Sequence, residues 1–350
     1  MTRPTASTTP AWWRARGPRA LALLPLAALY AGGVAVRRGV FALGLARVTR
    51  LPVPVIVVGN VTAGGTGKTP LAIHLVQALR DAGRTPGVIT RGYGGDGPEP
   101  AAVTADADPR ACGDEAVLIA RETRAPVWRG RDRVAAARAL LAAHPRCDVL
   151  VSDDGLQHLR LARDVEIAVV DGSRGLGNGW PLPAGPLREP ATRLAHVDAV
   201  VVKTPETVAI DAGAVPRFAM TLAPVRFTRV TAASAAVDTA TRRPLDAFAG
   251  QRVHAVAGIG NPAHFFAQLR ALDVDPIEHP FPDHHAFASA DLAFEDGRPI
   301  VMTAKDAIKC DGLLRDGREA WSLEVRAEVL PALATHVVTL LASRSSPDGR

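Results

Sequence analysis

Two hydrophobic rhythms run along the chain, and one uncharged apolar stretch precedes them both. Residues 20–36 (ALALLPLAALYAGGVAV) carry no charge and are bracketed by Arg19 in front and Arg37 with Arg38 behind. Such a run lies at the bottom of the bilayer-spanning range of about 17–25 residues, and Pro25 with the Gly32–Gly33 pair weakens it as a spanning helix. A signal peptide fits the length, yet apolar character resumes in GVFALGLARV without a small-residue cleavage site. Trp12, Trp13 and Tyr30 with flanking arginines are what an interfacial anchor uses, so the segment predicts a helix that associates with a membrane surface. A helix packed on the next domain is the plainer alternative.

Beyond Pro54 the rhythm changes. VIVVGN is a short β-branched run ending in glycine, the signal of a buried parallel strand. In residues 71–83 (LAIHLVQALRDAG) Leu71, Leu75, Val76 and Leu79 fall on one helical face, and Gly83 is placed to end the helix. Strand-like runs follow at 87–90, 125–128, 148–153, 166–171 and 198–203, with helical stretches DEAVLIARET and RVAAARALLAAH between them. Alternating strands and helices predict a mostly parallel sheet covered on both faces.

The pattern loosens at 205–245 into threonine-rich, β-prone sequence. It resumes in RVHAVAGIGNPAHFFAQLRALDV, RPIVMTAKDAIKC and AWSLEVRAEV. The expected organisation is an N-terminal membrane-associating segment (1–50), a parallel-sheet domain (51–245), a smaller α/β domain (246–342) and a polar tail (343–350).

With 350 residues, 47% hydrophobic and 22% charged, the chain is globular and long enough for two cores. A net charge of +6 suits an anionic partner, whether phosphate or anionic lipid. Neither a Lys/Arg run nor basic-aromatic interleaving is present, which argues against nucleic acid. Cys112, Cys147 and Cys310 are too scattered for a disulfide framework or a zinc pair.

The chemistry concentrates in GNVTAGGTGKTP (59–70). Gly64, Gly65 and Gly67 allow positive φ and close backbone approach, so that the N–H groups from Thr62 and Ala63 through Thr66 can face phosphate oxygens. Lys68 would reach the β- and γ-phosphates and the Thr69 hydroxyl would ligate Mg²⁺. Thr62 stands where the strict pattern has its first glycine. Pro70 falls in the first helical turn, where its missing N–H does no harm. Downstream, DVLVSDDGLQH is a hydrophobic strand ending in Asp153 and Asp154, the usual way to hold the metal beside a phosphate loop.

Other motifs are weaker singly. Arg91 of RGYGG follows a strand and suits an anion. Asp114 and Glu115 open a helix, where capping alone is chemically sufficient. The proline-rich PLPAGPLREP ends near Arg188, which would clamp phosphate or be solvated. FPDHHAF sets Asp283 beside His284 and His285, a pairing suited to proton transfer but too sparse for a metal site.

From PLAALY (25–30) to TAKDAIK (303–309) the chain resembles the tetraacyldisaccharide 4'-kinase (lipid A 4'-kinase) family. The family's segments occur in order: PVPVIVVGNVTAGGTGKTP, TRGYGG, GDEA, DDGLQH, GNGWPLPAGPLREP, GIGNP and FPDHHAF. The resemblance implies a P-loop NTPase-like domain, a second smaller α/β domain and a cleft between them. It implies transfer of the ATP γ-phosphoryl group to the 4'-hydroxyl of a tetraacyldisaccharide 1-phosphate, forming lipid IVA at the cytoplasmic face of the inner membrane. ATP and Mg²⁺ are the expected cofactors, and no obligate protein partner is implied. Carried over by motif, Lys68, Asp114 and His284 would be catalytic. Thr69, Asp153, Asp154 and Glu115 would stand around the metal. Arg91, Tyr93, Gln157, His158 and Arg188 would contact substrate or phosphate. Where the family commonly has T-E-K-D, this chain has Thr303-Ala304-Lys305-Asp306, which lacks the carboxylate but keeps the rest of the motif.

The rival readings are a membrane-associated P-loop switch or assembly ATPase and a non-enzymatic nucleotide-binding module. Switch proteins of the GGTGKT type often carry lysine before the double glycine, where this chain has Ala63. The N-K-x-D signature of a GTPase is absent from the sequence.

Overall fold

The computed structural model describes residues 10–230, 241–310, 312–314, 318–330 and 332–345. Its strands are β1 (Val55–Gly59), β2 (Pro86–Thr90), β3 (Ala101–Val103), β4 (Val127–Arg129), β5 (Val149–Asp153), β6 (Val165–Asp171), β7 (Ala199–Lys203), β8 (Arg217–Arg229), β9 (Arg242–Arg243), β10 (Arg252–Ala257), β11 (Asp275–Pro280), β12 (Ile300–Thr303) and β13 (Ala320–Leu330). Its α-helices are α1 (Pro18–Ala22), α2 (Leu24–Ala42), α3 (Lys68–Asp81), α4 (Pro109–Cys112), α5 (Asp114–Thr123), α6 (Arg133–Ala143), α7 (Pro262–Ala271), α8 (Ala304–Cys310) and α9 (Leu333–Ser345). The first residues of the expected polar tail form the last turn of α9, and 346–350 lie outside the described residues.

The strands form one mixed, mostly parallel sheet in the order β11-β10-β12-β13-β8-β7-β6-β1-β5-β2-β4-β3, with β9 paired to β8. The loosely patterned 205–245 region contains β8, a long strand whose antiparallel pairing with β13 joins the two ends of the sheet. Local pattern did not show this continuity, because β8 alternates exposed and buried positions only at its start and acquires its partner from far along the chain.

β1 is wholly buried because it lies between β5 and β6, both parallel to it. The chain leaves β1 for β2 on one side and, after β5, crosses to β6 on the other; that reversal beside β1 opens a crevice at the carboxyl ends of the strands, where α/β sheets bind ligands. Leu71, Leu75, Val76 and Leu79 of α3 are all buried against this region, as the helical periodicity predicts, each burial contributing roughly 1.5–3 kcal/mol. α5 and α9 share that face, while Ala136, Ala137 and Leu140 of α6 cover the other. Toward the β11 edge, Phe265, Phe266 and Leu269 of α7 pack on Phe227, Phe248 and Trp321, and α8 covers the opposite face.

At the N-terminus the apolar run folds into α1 and α2, with Pro25 tolerated in the first turn of α2. Leu21, Leu26, Leu29 and Val36 are exposed there, and Leu43, Leu45 and Val48 are exposed just beyond. Among the described residues, no helix is long and apolar enough to cross a membrane.

Candidate active site

The phosphate-type loop leaves β1 at Gly59 and enters α3 at Lys68. Gly67, the residue before the helix, has φ 92°, and a β-carbon there would lie 2.9 Å from Met220 Cε. Only glycine meets both demands. Thr62 occupies the position of the missing glycine without cost. It forms an antiparallel bridge with Leu187 and needs ordinary extended backbone, while Ala63 N–H donates to Pro186 O at 2.8 Å. The loop 186–188 therefore braces the phosphate loop, and Arg188 N–H donates to Val61 O at 2.8 Å. The Thr66 hydroxyl is buried without a hydrogen-bond partner, as a group awaiting an anion would be.

Asp153 ends β5 beside this loop. Its Oδ2 accepts from Thr69 Oγ1 at 3.3 Å, and its buried Oδ1 has no hydrogen-bond partner. Burial, with the charges of Glu115 and Asp154 nearby, pushes its carboxyl up to about 7. A buried carboxylate held that high, with an orphaned oxygen next to a threonine hydroxyl, fits a divalent cation. Asp154 behaves oppositely. Burial would raise it, but Lys68 at 3.5 Å, Arg188 at 3.3 Å and the nearby Arg133 hold it down to about 2. The two adjacent aspartates thus have different environments: Asp153 has an open oxygen, whereas Asp154 is clamped by cations.

A second cluster faces this one across the crevice. Asp114, at the start of α5, is buried, and its Oδ2 lies 3.1 Å from His284 Nδ1. Its Oδ1 accepts from Glu115 N–H at 2.8 Å. His284 has φ 60°, and its N–H donates to Asp283 Oδ1 at 3.1 Å. Its ring lies 4.8 Å from that of Tyr93. His285 turns away to Asp291 at 3.1 Å. Of the two adjacent histidines, His284 is therefore the one that meets Asp114.

Lys305 sits at the centre of this cluster, 15% exposed. Its Nζ is 3.1 Å from Glu115 Oε1, 3.3 Å from Asp283 Oδ1, 3.8 Å from Asp114 Oδ2 and 3.4 Å from His284 Nε2. Burial opposes its charge, but Glu115, Asp114 and Asp283 together raise its pKa. Burial likewise opposes the charge on Asp114, which His284 and Lys305 nonetheless hold below the usual carboxylate range. Sequence reasoning left the TAKD segment without a role, and the available signal was the family's lysine at this position. Asp306, the next residue, ties Gly258 N–H and Thr303 Oγ1 together at 2.8 and 2.6 Å, which fixes α8 against the GIGNP loop.

The remaining expected site residues border the same crevice. Tyr93 is exposed above His284, and Arg91 is exposed at the end of β2. Gln157 Nε2 donates to Asn60 O at 3.1 Å. Burial and the positive charges of Arg133, Arg91 and Arg37 lower His158 to about 4, so it is a neutral ring at physiological pH rather than a cation for phosphate. Helix α2 is fastened to this rim: Tyr30 Oη donates to Arg188 O at 3.1 Å, Arg37 to Gln157 O at 2.9 Å, and Arg38 pairs with Glu189 at 2.9 Å.

Two further arginines escaped sequence reasoning because they are buried. Arg133 donates to Gly130 O and to the backbone O of Asp153, at 2.6 and 3.2 Å. Arg129 reaches Glu99 at 2.7 Å and is wrapped by the RGYGG loop, where a β-carbon on Gly95 would come within 2.8 Å of its guanidinium.

Comparison with known proteins gives one answer. The tetraacyldisaccharide-1-P 4'-kinase family matches residues 19–342. The chain is 50% identical over 335 residues to a tetraacyldisaccharide 4'-kinase of Azoarcus sp. (strain BH72), covering 95% of each chain. It is also 50% identical over 338 residues to that of Aromatoleum aromaticum, covering 96% of this chain and 98% of the other. Its fold is similar to the crystal structure of LpxK from Aquifex aeolicus in complex with ATP, with a TM-score of 0.76 and 27% identity over 92% of this chain and 99% of that one.

Proposed function

The chain belongs to the tetraacyldisaccharide-1-P 4'-kinase family, and we infer that it transfers the γ-phosphoryl group of ATP to the 4'-hydroxyl of a tetraacyldisaccharide 1-phosphate in lipid A biosynthesis. The observation that carries this reading is the pairing of Asp114 with His284 across the crevice from the phosphate loop. A switch ATPase needs the loop and Asp153, but has no use for a second carboxylate–histidine–lysine cluster facing them.

Within this reading the fold divides into a P-loop NTPase-like unit, a smaller α/β unit that begins near 246, and an N-terminal apolar helix; the expected end of the smaller unit at 342 is too late, because α9 packs back on the face of α3 and α5. Backbone N–H groups of Thr62 and of residues 64–67, with Lys68, hold the triphosphate; the N–H expected of Ala63 is instead committed to Pro186 O. Thr69 and Asp153 would hold Mg²⁺, which would neutralise phosphate charge as the group is transferred. Asp154 orients Lys68 and Arg188 toward the same anion. Glu115 contributes at the edge of the metal site, shared with Lys305.

As the 4'-oxygen forms its bond to the γ-phosphorus and the bond to the β-bridging oxygen breaks, the hydroxyl proton passes to Asp114 and ADP departs. A carboxylate held ionised can accept this proton even at low pKa, because in a loose transition state the hydroxyl becomes strongly acidic only late, as its bond to phosphorus forms. His284 and Lys305 position Asp114 and keep it ionised. Arg91, Tyr93, Gln157 and the neutral His158 line the lipid side, and Arg188 faces the triphosphate with Lys68.

The exposed leucines of α1 and α2 seat this rim on the cytoplasmic face of the inner membrane, where the lipid head group is presented. Incubating the protein with ATP, Mg²⁺ and the tetraacyldisaccharide 1-phosphate tests the reading. Phosphate should appear on the lipid at the 4' position. ATP hydrolysis without lipid phosphorylation would overturn it.

A further inference from the structure

A cavity of about 650 Å³ adjoins the phosphate loop on the side away from Asp114, reaching from Thr62 and Ala63 past the ends of β6 and β7 to the start of α7. One of its walls comes from an unexpected place. Trp13 and Arg14, which precede the apolar helix, line it.

They are held there by a built interface. The indole N–H groups of Trp12 and Trp13 both donate to Pro183 O, at 3.2 and 3.1 Å. Asn178, nearly fully buried, donates from its side chain to Trp12 O at 2.9 Å and from its backbone to Trp13 O at 2.7 Å. Arg16 donates to Asn178 O at 3.1 Å and lies over the Trp180 ring. Gly177 has φ 60°, and a β-carbon on it would come within 2.5 Å of Trp13 O, so the loop is shaped to admit this backbone.

The direction of the triphosphate identifies the cavity's occupant. In the sheet, β5 and β2 lie on one side of β1, and they carry Asp153 and Arg91 at or just past their ends. β6 and β7 lie on the other side and end in Asp171 and Lys203. On the kinase reading, the transferable phosphate must point toward Asp114, on the β5 side. The rest of the nucleotide then extends over the loop toward β6 and β7, into this cavity. Its surfaces suit a nucleoside. Asp171 and Ser173 offer polar groups, Asn261 offers an amide, and Trp13, Pro262 and Ala263 offer apolar surface. Arg174 ties the two regions together, donating to Gly65 O and pairing with Asp171 at 3.5 Å.

We propose that Trp13 and Arg14 form one wall of the nucleoside pocket, so that docking of residues 11–16 onto the 177–186 loop completes the ATP site. The inference rests on the kinase reading for the orientation of the triphosphate. It makes the segment leading into the membrane-facing helix part of nucleotide recognition.

The test is direct binding, by calorimetry on the full-length protein in detergent with Mg²⁺, of a non-hydrolysable ATP analogue and of inorganic tripolyphosphate. Trp13→Ala should weaken the analogue about tenfold while leaving tripolyphosphate unchanged, and Trp13→Phe should recover most of the loss. Unchanged tripolyphosphate binding also shows that the variant is folded. The proposal is overturned if both affinities fall together, if neither changes, or if only the KM for lipid rises. Because binding is read without turnover, a wild type that fails to phosphorylate lipid would defeat the kinase reading alone.

Discussion

His284 Nδ1 and Asp114 Oδ2 stand 3.1 Å apart although 170 residues of chain separate them. The contact joins the start of α5 to the loop after β11. The carboxylate is thus complete as a chemical group only when the two ends of the sheet close on each other.

Replacing Asp114 with alanine should lower kcat by about 10²–10⁴-fold, the range for loss of a positioned general base. ATP affinity should stay within a few-fold of wild type, since Asp114 lies beyond the phosphate loop. Steady-state kinetics with a separate nucleotide-binding measurement distinguish the two. A variant with near-normal turnover would remove Asp114 from the proposed role.

Lys305→Met should reduce kcat more than it raises either KM. The lysine neutralises Glu115, Asp283 and Asp114 together, and without it three carboxylates face one histidine. Lys305→Arg should restore part of the rate. Equal losses in the methionine and arginine variants would mean that packing, not charge, is what the position supplies.

His158 gives a pH signature in stability. Its folded pKa is about 4, below the unfolded value near 6.5, so the unfolded chain takes up the proton more readily. Its contribution is fully present above about pH 6.5 and is lost as pH falls toward 4. Urea midpoints across this window should fall less steeply with acidity in His158→Gln than in wild type. Parallel curves would show that the histidine is not held neutral.

Glu99→Gln should destabilise the fold by about 3 kcal/mol, because it leaves the buried Arg129 guanidinium without its counter-charge. Burial opposes the charge on Glu99, yet Arg131 N–H and Arg129 keep it ionised below the usual range. Chemical denaturation measures the loss directly, and a change under about 0.5 kcal/mol would show that the backbone carbonyls around Arg129 suffice.

Aspartates at Leu26 and Leu29 should cut binding to anionic vesicles by tens-fold or more, since each buried leucine is worth about 1.5–3 kcal/mol. Sedimentation with vesicles reads the effect, and unchanged binding would assign the membrane contact to another surface.

The strand–loop–helix around Lys68 was legible because its signals are local: a β-branched run, glycines where positive φ is needed, and an apolar stripe at helical spacing. Neighbouring boundaries shifted by a residue or two. β4 ends at Arg129, beyond the expected 125–128, because its register is set by Thr90 of β2. Continuity of the sheet through β8 and β13 was not legible, since β8 is half-buried on both faces through its middle and so loses the alternation that marks an antiparallel strand. Lys305 was hidden for a different reason. A lysine reads as a surface residue until three acids from distant segments are brought around it. The same holds for Arg129 and Arg133, whose burial depends on carbonyls that no sequence pattern marks.

Helix α2 bonds through Tyr30 and Arg37 to the carbonyls of Arg188 and Gln157 while leaving its leucines uncovered. An enzyme seated by such a helix meets its acceptor in two dimensions. The substrate concentration that governs its rate is then a mole fraction within the bilayer or micelle, not a molarity. At fixed bulk lipid, added inert detergent should slow the reaction by surface dilution, while ATP continues to be counted in three dimensions.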